Sequence, residues 1–212
     1  MDDETLRMRM VTEQIERRGV RSEPVLAAMR RVPRHEFVPA RSRASAYEDH
    51  PLPIGEGQTI SQPYIVALMA EAMNVAPGDT VLEVGTGSGY ASAVLAELGA
   101  VVVTVERRAD LAANARLALS RLGYDTVTVV TGDGTRGWAA AGPYDAIAAA
   151  AATPAVPRAW GDQLVTGGRL VVPLGVSGWG QQLRRGIKQP DGEFEWHDLG
   201  GVTFVPLISD QE

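Results

Sequence analysis

The sequence predicts an α/β protein with a mostly parallel sheet that is covered by helices on both faces. From residue 80 onward, short apolar runs alternate with segments that carry apolar residues at helical spacing. Strands separated by helices of about 10 to 15 residues are typical of right-handed βαβ units. With 212 residues and a hydrophobic content of 45 %, the chain can bury one core. We therefore predict a single domain over residues 1–212, with N-terminal helices and a loop in 1–54 and the α/β core in 55–212.

The N-terminal segment carries the pattern of helices followed by an irregular loop. Residues 3–18 form a predicted amphipathic helix, with apolar side chains on one side and Arg or Glu between them. Ser22 begins a second, short helix that ends near Arg30, and two prolines then break the helical pattern. Residues 46–55 are a predicted loop, and Pro63 opens the next helix at its first turn. This segment is therefore predicted to be a helical extension of the core.

Seven apolar runs in the core are candidate strands, and three segments between them are candidate helices. The last two runs flank a Pro-Asp-Gly turn, which indicates an antiparallel edge on an otherwise parallel sheet. The predicted strands are TVLEVG, VVVTVE, VTVVTGD, YDAIAAAAA, GGRLVVPLG, QQLRRGIKQ and LGGVTFVPLIS. The predicted helices are YASAVLAEL, ADLAANARLALSRL and RAWGDQL.

A glycine-rich loop joins the first core strand to the helix that follows it. Its residues are Gly85, Thr86, Gly87, Ser88 and Gly89. Glycines at such a turn let the backbone approach a ligand closely and place amide N–H groups at a helix N-terminus. Glu106 ends the next strand, 21 residues after Gly85, where a carboxylate can accept hydrogen bonds from both ribose hydroxyls of an adenosine. The pattern therefore predicts a cofactor that contains an adenosine.

The acid ahead of this loop distinguishes between two adenosine cofactors. Glu83 lies just before the glycines, whose spacing is G-x-G-x-G, whereas dinucleotide sites usually have G-x-G-x-x-G. A carboxylate here would repel the pyrophosphate of NAD and would stabilise the sulfonium and ammonium groups of S-adenosylmethionine. The pattern therefore favours S-adenosylmethionine over NAD. Glu83 could also cap loop amides at its strand end, and that structural role would not exclude the cofactor.

An Asp-Gly turn closes the third predicted core strand. Asp133 and Gly134 lie at the same predicted sheet edge as the glycine loop, where ligands of open α/β sheets bind. Asp133 can accept a hydrogen bond from the exocyclic amine of adenine, and Gly134 leaves room for the ring. A plain turn aspartate before glycine is the alternative. We favour the adenine contact because the turn stands in register with Gly85 and Glu106.

The stretch GEGQTISQPY, residues 55–64, places hydroxyl side chains on a constrained turn just ahead of an apolar helix. The chain has no cysteine and no histidine in a recognisable base arrangement. A substrate group that must lose a proton would therefore have no evident general base. A substrate carboxylate is already ionised at neutral pH, so the site only has to orient it for methyl transfer. Thr59 and Ser61 can hold it by hydrogen bonds and orient one oxygen toward the methyl group of the cofactor.

Composition limits the remaining classes of function. Without cysteine, the chain has no disulfide and no thiolate site. His35, His50 and His197 stand far apart, so no metal site is predicted. The net charge of −6, with basic residues interleaved with acids near the N-terminus, does not favour nucleic-acid binding. No apolar run suits a signal peptide or a membrane span. We expect a cytoplasmic, metal-independent protein that is monomeric and binds neither nucleic acid nor membranes.

Several motifs follow one another in order from about residue 5 to residue 208. They are PLPIGEGQTISQPY, VLEVGTGSGY, VTVERR, GDGTRGW, PYDAI with the following TPAVP, QLVTGGRLVVPLG and the final FVPL. TISQP and GDGTRGW are specific, whereas many methyltransferases share the glycine loop. On these motifs the chain resembles the protein-L-isoaspartate O-methyltransferase family over nearly its whole length.

The resemblance implies a Rossmann-like S-adenosylmethionine-dependent methyltransferase fold in which the last strands are rearranged and FVPLIS returns near the active site. It implies methyl transfer to the α-carboxylate of L-isoaspartyl residues in damaged peptides and proteins. The ester would cyclise to a succinimide, whose hydrolysis returns some normal aspartate, so methylation initiates repair. The positions that match the family's site are Ser61 as active-site serine, Thr59 beside it, Gly85, Gly87 and Gly89 as the methionine loop, Glu106 as the ribose acid, and Asp133 with Gly134 as the adenine contact.

Three positions depart from the family's pattern. Glu56 stands where an aromatic or apolar residue is more common, and its charge would weaken an anionic substrate if it pointed into the site. Ala150 stands where threonine is common, and Thr153 replaces an alanine. These departures concern substrate positioning and leave the cofactor residues unchanged.

Two other functions are compatible with the same motifs. A family relative could methylate an ordinary aspartate of one dedicated peptide to form an aspartimide, although we expect no extra substrate-binding domain within these 212 residues. A non-catalytic protein could keep cofactor binding and use its Arg-rich N-terminal helices to hold a partner. Thr59, Ser61 and the intact glycine loop argue against this second alternative.

Overall fold

The computed structural model describes residues 1–176 and 179–210 of the chain. Their strands are β1 (Leu52–Gly55), β2 (Gln58–Ile60), β3 (Thr80–Val84), β4 (Val101–Glu106), β5 (Val127–Thr131), β6 (Tyr144–Ala149), β7 (Leu164–Val176), β8 (Trp179–Lys188) and β9 (Phe194–Val202). Strands β1 and β2 form a hairpin, and the other seven form one sheet in the order β5-β4-β3-β6-β7-β8-β9. Five of these strands are parallel, and β8 and β9 are antiparallel to their neighbours. The predicted α/β fold, with a mostly parallel sheet and an antiparallel edge, is confirmed.

The helices of the described residues lie close to their predicted positions. They are α1 (Asp3–Met10), α2 (Glu23–Arg31), α3 (Pro63–Met73), α4 (Tyr90–Glu97), α5 (Ala109–Arg121) and α6 (Arg158–Gln163). The predicted helix over 3–18 is not uniform, because α1 continues as a π-helical segment and a 3₁₀ turn before it ends at Gly19. No helix in the described ranges is long and apolar enough to cross a membrane.

Two hydrophobic clusters pack against the two faces of the sheet. Adjacent strand residues point to opposite faces, so Val81 joins the first cluster and Leu82 the second. The first cluster also contains side chains of helices α2, α3 and α4, together with Met10 and Ile15 of the N-terminal segment. The second contains the fully buried Trp160 of α6. Residues 1–54 thus pack on the sheet that follows them, and the single-domain assignment over 1–212 stays a prediction.

Two sequence-based assignments are corrected by the structure. The predicted loop over 46–55 contains strand β1, which pairs with β2 in an antiparallel hairpin. The run LGGVTFVPLIS was predicted as one strand, but β9 begins earlier, at Phe194, and ends at Val202. Beyond that point Pro206 has no N–H to donate to a sheet, and the chain crosses over to a single bridge with Ala152. This crossing brings the end of the chain to the site.

Candidate active site

One large cavity of about 900 Å³ opens at the carboxyl ends of the parallel strands. Such an edge is where ligands of open α/β sheets bind. Eight of the ten predicted site residues line this cavity, namely Thr59, Ser61, Glu83, Gly85, Thr86, Gly87, Glu106 and Gly134. The other two are Gly89, which is the N-cap of α4 after the glycine loop, and Asp133, which caps the turn that contains Gly134.

The glycine loop is shaped by the strand before it and the helix after it. Gly89 has a φ of +87° and forms the N-cap of α4, and a Cβ there would lie 3.2 Å from Leu119. The position therefore needs glycine both for its backbone angle and for the close packing of α5. Thr86 is buried, and its hydroxyl lies 2.7 Å from the hydroxyl of Thr104 on β4. The loop is thus tied to the neighbouring strand.

Glu106 lies at the end of β4 with its carboxylate turned to the glycine loop. One oxygen accepts a hydrogen bond from the amide of Gly87 at 2.8 Å, and the other accepts one from the amide of Arg108 at 2.9 Å. Each carboxylate oxygen has a further lone pair to offer. The geometry therefore holds the carboxylate in place and leaves both oxygens able to accept from the hydroxyls of a ribose.

Glu83 is a buried carboxylate whose partners are hydroxyls. It accepts a short hydrogen bond from Ser92 of α4 and a second from Thr104. Burial, with a smaller contribution from the nearby charge of Glu106, outweighs the lowering by the two hydroxyls and raises the pKa of Glu83 to about 7. No basic side chain among the described residues forms an ion pair with it. A buried acid without a cationic partner in a ligand cavity suits a cationic ligand.

The turn after β5 closes the cavity on its far side. A Cβ at Gly134 would lie 2.5 Å from a methyl group of Val84, so no other residue fits without a shift. The indole of Trp160 donates to the Gly134 carbonyl at 2.8 Å and fixes the turn from below. Asp133 accepts from the amide and hydroxyl of Thr135 at 2.9 and 2.7 Å. The adenine contact of Asp133 stays a prediction, because this carboxylate is engaged with its own turn.

The hairpin β1–β2 presents the two predicted hydroxyls. Its turn places Glu56 and Gly57 at φ values of +53° and +68°, as a two-residue type I′ turn requires. Along β2 and just beyond it, side chains alternate, so buried Ile60 points to the core while Thr59 and Ser61 share the opposite side. Thr59 and Ser61 both line the cavity.

Glu56 does not point into the cavity. Its carboxylate forms an ion pair with Arg108 at 3.2 Å, and its side chain is 46 % exposed. The charge that could oppose an anionic substrate is thus directed to the rim. Of the other departures, Ala150 lines the cavity, and buried Thr153 donates its hydroxyl to the carbonyl of Ala155 at 2.7 Å.

Sequence reasoning missed several residues that complete the cavity walls. Gln181 of β8 is buried and lines the cavity, and so do Tyr90 and Arg107. The expected return of FVPLIS is confirmed, because residues 204–208 form one wall. No local pattern marks Gln181, since its partners lie more than twenty residues away along the chain. Among the described residues, no group of three or more His, Cys, Asp or Glu side chains is placed to hold a metal ion.

The sheet order, the glycine loop and the acid at the end of β4 define a class of protein, the S-adenosylmethionine-dependent methyltransferases with a Rossmann-like α/β fold. The family model for Protein-L-isoaspartate(D-aspartate) O-methyltransferase (PCMT) matches residues 6–212. This chain belongs to that family.

Named relatives share this similarity over almost their full length. A Protein-L-isoaspartate O-methyltransferase 2 of Pelobacter propionicus is 54 % identical over 199 residues, which cover 94 % of this chain and 88 % of the relative. A Protein-L-isoaspartate O-methyltransferase of Methanoculleus marisnigri is 55 % identical over 202 residues, covering 95 % and 91 %.

Solved structures agree with this assignment. A protein-L-isoaspartate O-methyltransferase superimposes with a TM-score of 0.86 at 29 % identity, covering 94 % of this chain and 65 % of that chain. A putative protein-L-isoaspartate O-methyltransferase from Plasmodium falciparum, in complex with S-adenosyl-L-homocysteine, gives a TM-score of 0.81 at 25 % identity, covering 95 % and 98 %. The fold of this chain is therefore that of the family over the 94 to 95 % of the chain that these superpositions cover.

Proposed function

We propose that this protein transfers a methyl group from S-adenosylmethionine to the α-carboxylate of L-isoaspartyl residues in damaged peptides and proteins. The observation that carries the proposal is one cavity, lined both by the hairpin hydroxyls of Thr59 and Ser61 and by the glycine loop and Glu106. A methyl donor and an acceptor carboxylate can meet only in a space that both sets of residues share. Membership of the family supports the same activity.

The residues present fit S-adenosylmethionine. When bound, the cofactor supplies an electrophilic methyl group on a sulfonium. Gly85, Thr86 and Gly87 would hold its methionine part, Glu106 its ribose, and the turn at Gly134 its adenine. Glu83 would balance its positive charge, and this carboxylate is buried without a cationic partner among the described residues. Gly89 shapes the loop as the N-cap of α4.

The acceptor needs orientation more than activation. An isoaspartyl α-carboxylate is ionised at neutral pH, so no base has to remove a proton from it. The hydroxyls of Ser61 and Thr59 would donate hydrogen bonds to this carboxylate and orient it for methyl transfer. Behind Ser61, apolar side chains such as Val66 and Met69 line a small cavity of about 40 Å³. Methyl transfer would leave S-adenosylhomocysteine and the methyl ester. The backbone nitrogen of the following residue then attacks the ester carbonyl and methanol leaves, which gives a succinimide whose hydrolysis returns some normal aspartate.

The experiment that tests the proposal is transfer of a labelled methyl group to a matched pair of peptides, one with L-isoaspartate and one with L-aspartate at the same position. We expect base-labile label on the isoaspartyl peptide alone. Label on the aspartyl peptide would favour the alternative function, in which the enzyme methylates an ordinary aspartate of one dedicated peptide. Cofactor binding without label on either peptide would contradict the proposal and favour a non-catalytic binding protein.

We also propose a cytoplasmic location, a monomeric state, catalysis without a metal ion, and no nucleic-acid or membrane partner. The proposal on nucleic acids rests on the net charge of −6, and that on metal independence rests on the lack of cysteine and the wide spacing of the three histidines. Gel filtration with light scattering tests the monomer, and activity after treatment with a chelator tests metal independence.

A further inference from the structure

The segment Thr203–Ile208 forms a wall of the cavity without belonging to the sheet. Strand β9 ends at Val202, and every residue from 202 to 208 lines the cavity that also contains Thr59 and Ser61. An extended segment outside a sheet has backbone groups that need other partners. The position of this wall therefore depends on the groups that hold it.

One side of the wall is held by backbone hydrogen bonds to Ala152. The amide of Ala152 donates to the carbonyl of Val205 at 2.8 Å, and the amide of Leu207 donates to the carbonyl of Ala152 at 2.7 Å. This is the pattern of a single parallel bridge beyond the end of β6. It fixes the middle of the segment on one side only.

The other side is held by the side chain of Gln181. Its carbonyl oxygen accepts from the amide of Phe204 at 2.6 Å, and its amide nitrogen donates to the carbonyl of Phe204 at 3.0 Å. Two strand residues in a hydrogen-bonded pair exchange the same two bonds. Gln181 is only 3 % exposed, so its side-chain amide takes the place of a strand neighbour in a buried position.

The far end of the segment has separate anchors. The amide of Asp210 donates to Asp133 at 3.1 Å, and the carboxylate of Asp210 pairs with Arg107 at 3.1 Å. Arg107 follows Glu106, the proposed ribose acid. The cofactor end of the wall is thus held independently of Gln181, which holds the end that leaves β9.

From this division we propose that Gln181 is a positioning residue for the peptide substrate. It fixes the part of the wall against which an isoaspartyl peptide lies while its carboxylate is held by Ser61. The inference rests on the proposed function. Loss of the clamp leaves the wall free to move, so peptide binding has to restore its position each time, whereas cofactor binding does not.

The test compares Gln181→Met with a matched control, Gln163→Met. The side chain of Gln163 likewise accepts one backbone hydrogen bond and donates another. It accepts from the amide of Trp138 at 2.8 Å and donates to the carbonyl of Arg136 at 2.8 Å. Gln163 does not line the cavity. In Gln181→Met we expect the KM for the isoaspartyl peptide to rise about tenfold. The Kd of S-adenosylmethionine should stay within about twofold of the parent value. Gln163→Met should change neither constant by more than about twofold.

Two further readouts separate positioning from a general loss of structure. Hydrogen exchange should show faster exchange of the Phe204 amide in Gln181→Met, with the exchange of the β3 and β4 amides unchanged. In Gln181→Glu, a protonated carboxyl can accept and donate as glutamine does, whereas a carboxylate can only accept. The peptide KM of this variant, relative to the parent at each pH, should therefore approach the parent value as the pH falls.

Three results would overturn the inference. An unchanged peptide KM in Gln181→Met means that the clamped wall does not serve the peptide. An equal rise in KM for Gln163→Met means that the effect is general, and a parallel loss of cofactor affinity means that the wall belongs to the cofactor. If the parent methylates neither peptide, the proposed function fails together with the peptide role, while exchange at Phe204 still tests the clamp itself.

Discussion

At the residue scale, the site depends on a few side chains whose partners are now known. Thr59 and Ser61 share one side of the strand end, and Glu83 and Glu106 face the same cavity from adjacent strands. The sequence already predicted these four residues, because each stands beside a local signal such as a glycine loop or a strand end. Their roles as ligands of substrate and cofactor remain predictions that mutations can test.

Ser61→Ala should separate cofactor binding from methyl transfer. Loss of a hydroxyl that donates to a charged acceptor is expected to lower kcat/KM for the isoaspartyl peptide by roughly 10- to 100-fold. The Kd of S-adenosylmethionine should be unchanged, because the glycine loop and Glu106 are untouched. Steady-state kinetics and calorimetry measure the two constants. The control is Ser120→Ala on the exposed side of α5, and parent-like turnover in Ser61→Ala would refute the positioning role.

Glu83→Gln should weaken the binding of S-adenosylmethionine and raise the free energy of unfolding. Because burial raises the pKa of Glu83 to about 7 from 4.5, the folded protein binds more protons than the unfolded chain between these pH values. The contribution of Glu83 to stability therefore falls as pH rises from about 4.5 to 7. The variant should gain up to about 3 kcal/mol of unfolding free energy at pH 8, with a gain that vanishes toward pH 4.5.

Cofactor affinity should change in the opposite direction. The parent should bind S-adenosylmethionine more tightly as pH rises through 7, since the ionised carboxylate balances the sulfonium, and Glu83→Gln should lose this dependence. Denaturant unfolding and calorimetry at several pH values provide both measurements. Glu193→Gln in the exposed β8–β9 turn controls for loss of a carboxylate as such. If the variant is less stable than the parent at pH 8, hydrogen bonds to the ionised Glu83 carboxylate outweigh the cost of burying its charge, and the prediction is wrong.

At the scale of the element, the hairpin β1–β2 is the piece that sequence patterns described least well. Two short strands without a long alternating run looked like an irregular loop, and only the glycines beside Glu56 marked the turn. Such short strands have too few residues for a periodic signal, and their pairing depends on packing over the glycine loop. A Cβ at Gly87 would lie 3.4 Å from the side chain of Ile54, which shows how closely the hairpin covers that loop.

Glu56→Asn tests the turn and the direction of the Glu56 side chain together. Asparagine before glycine suits a type I′ turn, so the left-handed backbone at position 56 should cost less than with glutamate. The exposed ion pair with Arg108 contributes little. We expect the free energy of unfolding to rise by up to about 1 kcal/mol, with a peptide KM within about twofold of the parent.

Thermal unfolding and peptide kinetics check this prediction. Glu56→Ala serves as the matched control, since it removes the same ion pair without the backbone preference of asparagine. A tenfold change in peptide KM in both variants would mean that the Glu56 carboxylate faces the substrate, contrary to its position at the rim.

At the scale of the whole molecule, the cofactor should act as a link between elements. The cavity is lined by the hairpin, by the carboxyl ends of β3 and β4, and by the C-terminal wall, which lie far apart along the chain. A ligand that contacts all of them only in the folded state stabilises that state by mass action. Cofactor binding is therefore visible as a stability change.

S-adenosylmethionine at about 100 times its Kd should raise the unfolding free energy by about 2.7 kcal/mol, which corresponds to roughly 5 to 10 °C in Tm for a chain of this size. Glu106→Ala should lose most of this shift at the same cofactor concentration, because it removes the ribose acceptor and releases the amide of Gly87. Differential scanning calorimetry measures both proteins. Asp162→Ala, which loses only an exposed pair with Arg158, should keep the full shift.

The sequence by itself determined the class of fold, the parallel strands and the helices of the core, the glycine loop and the acids beside it. These features are local, since hydrophobic period, glycine at a turn and a polar residue at a strand end are all visible within a few residues. Only the tertiary structure decided that Glu56 turns to Arg108, that Asp133 accepts from the amide of Asp210, and that Gln181 clamps Phe204. Those choices depend on contacts between segments distant along the chain, where packing and burial select one partner among many.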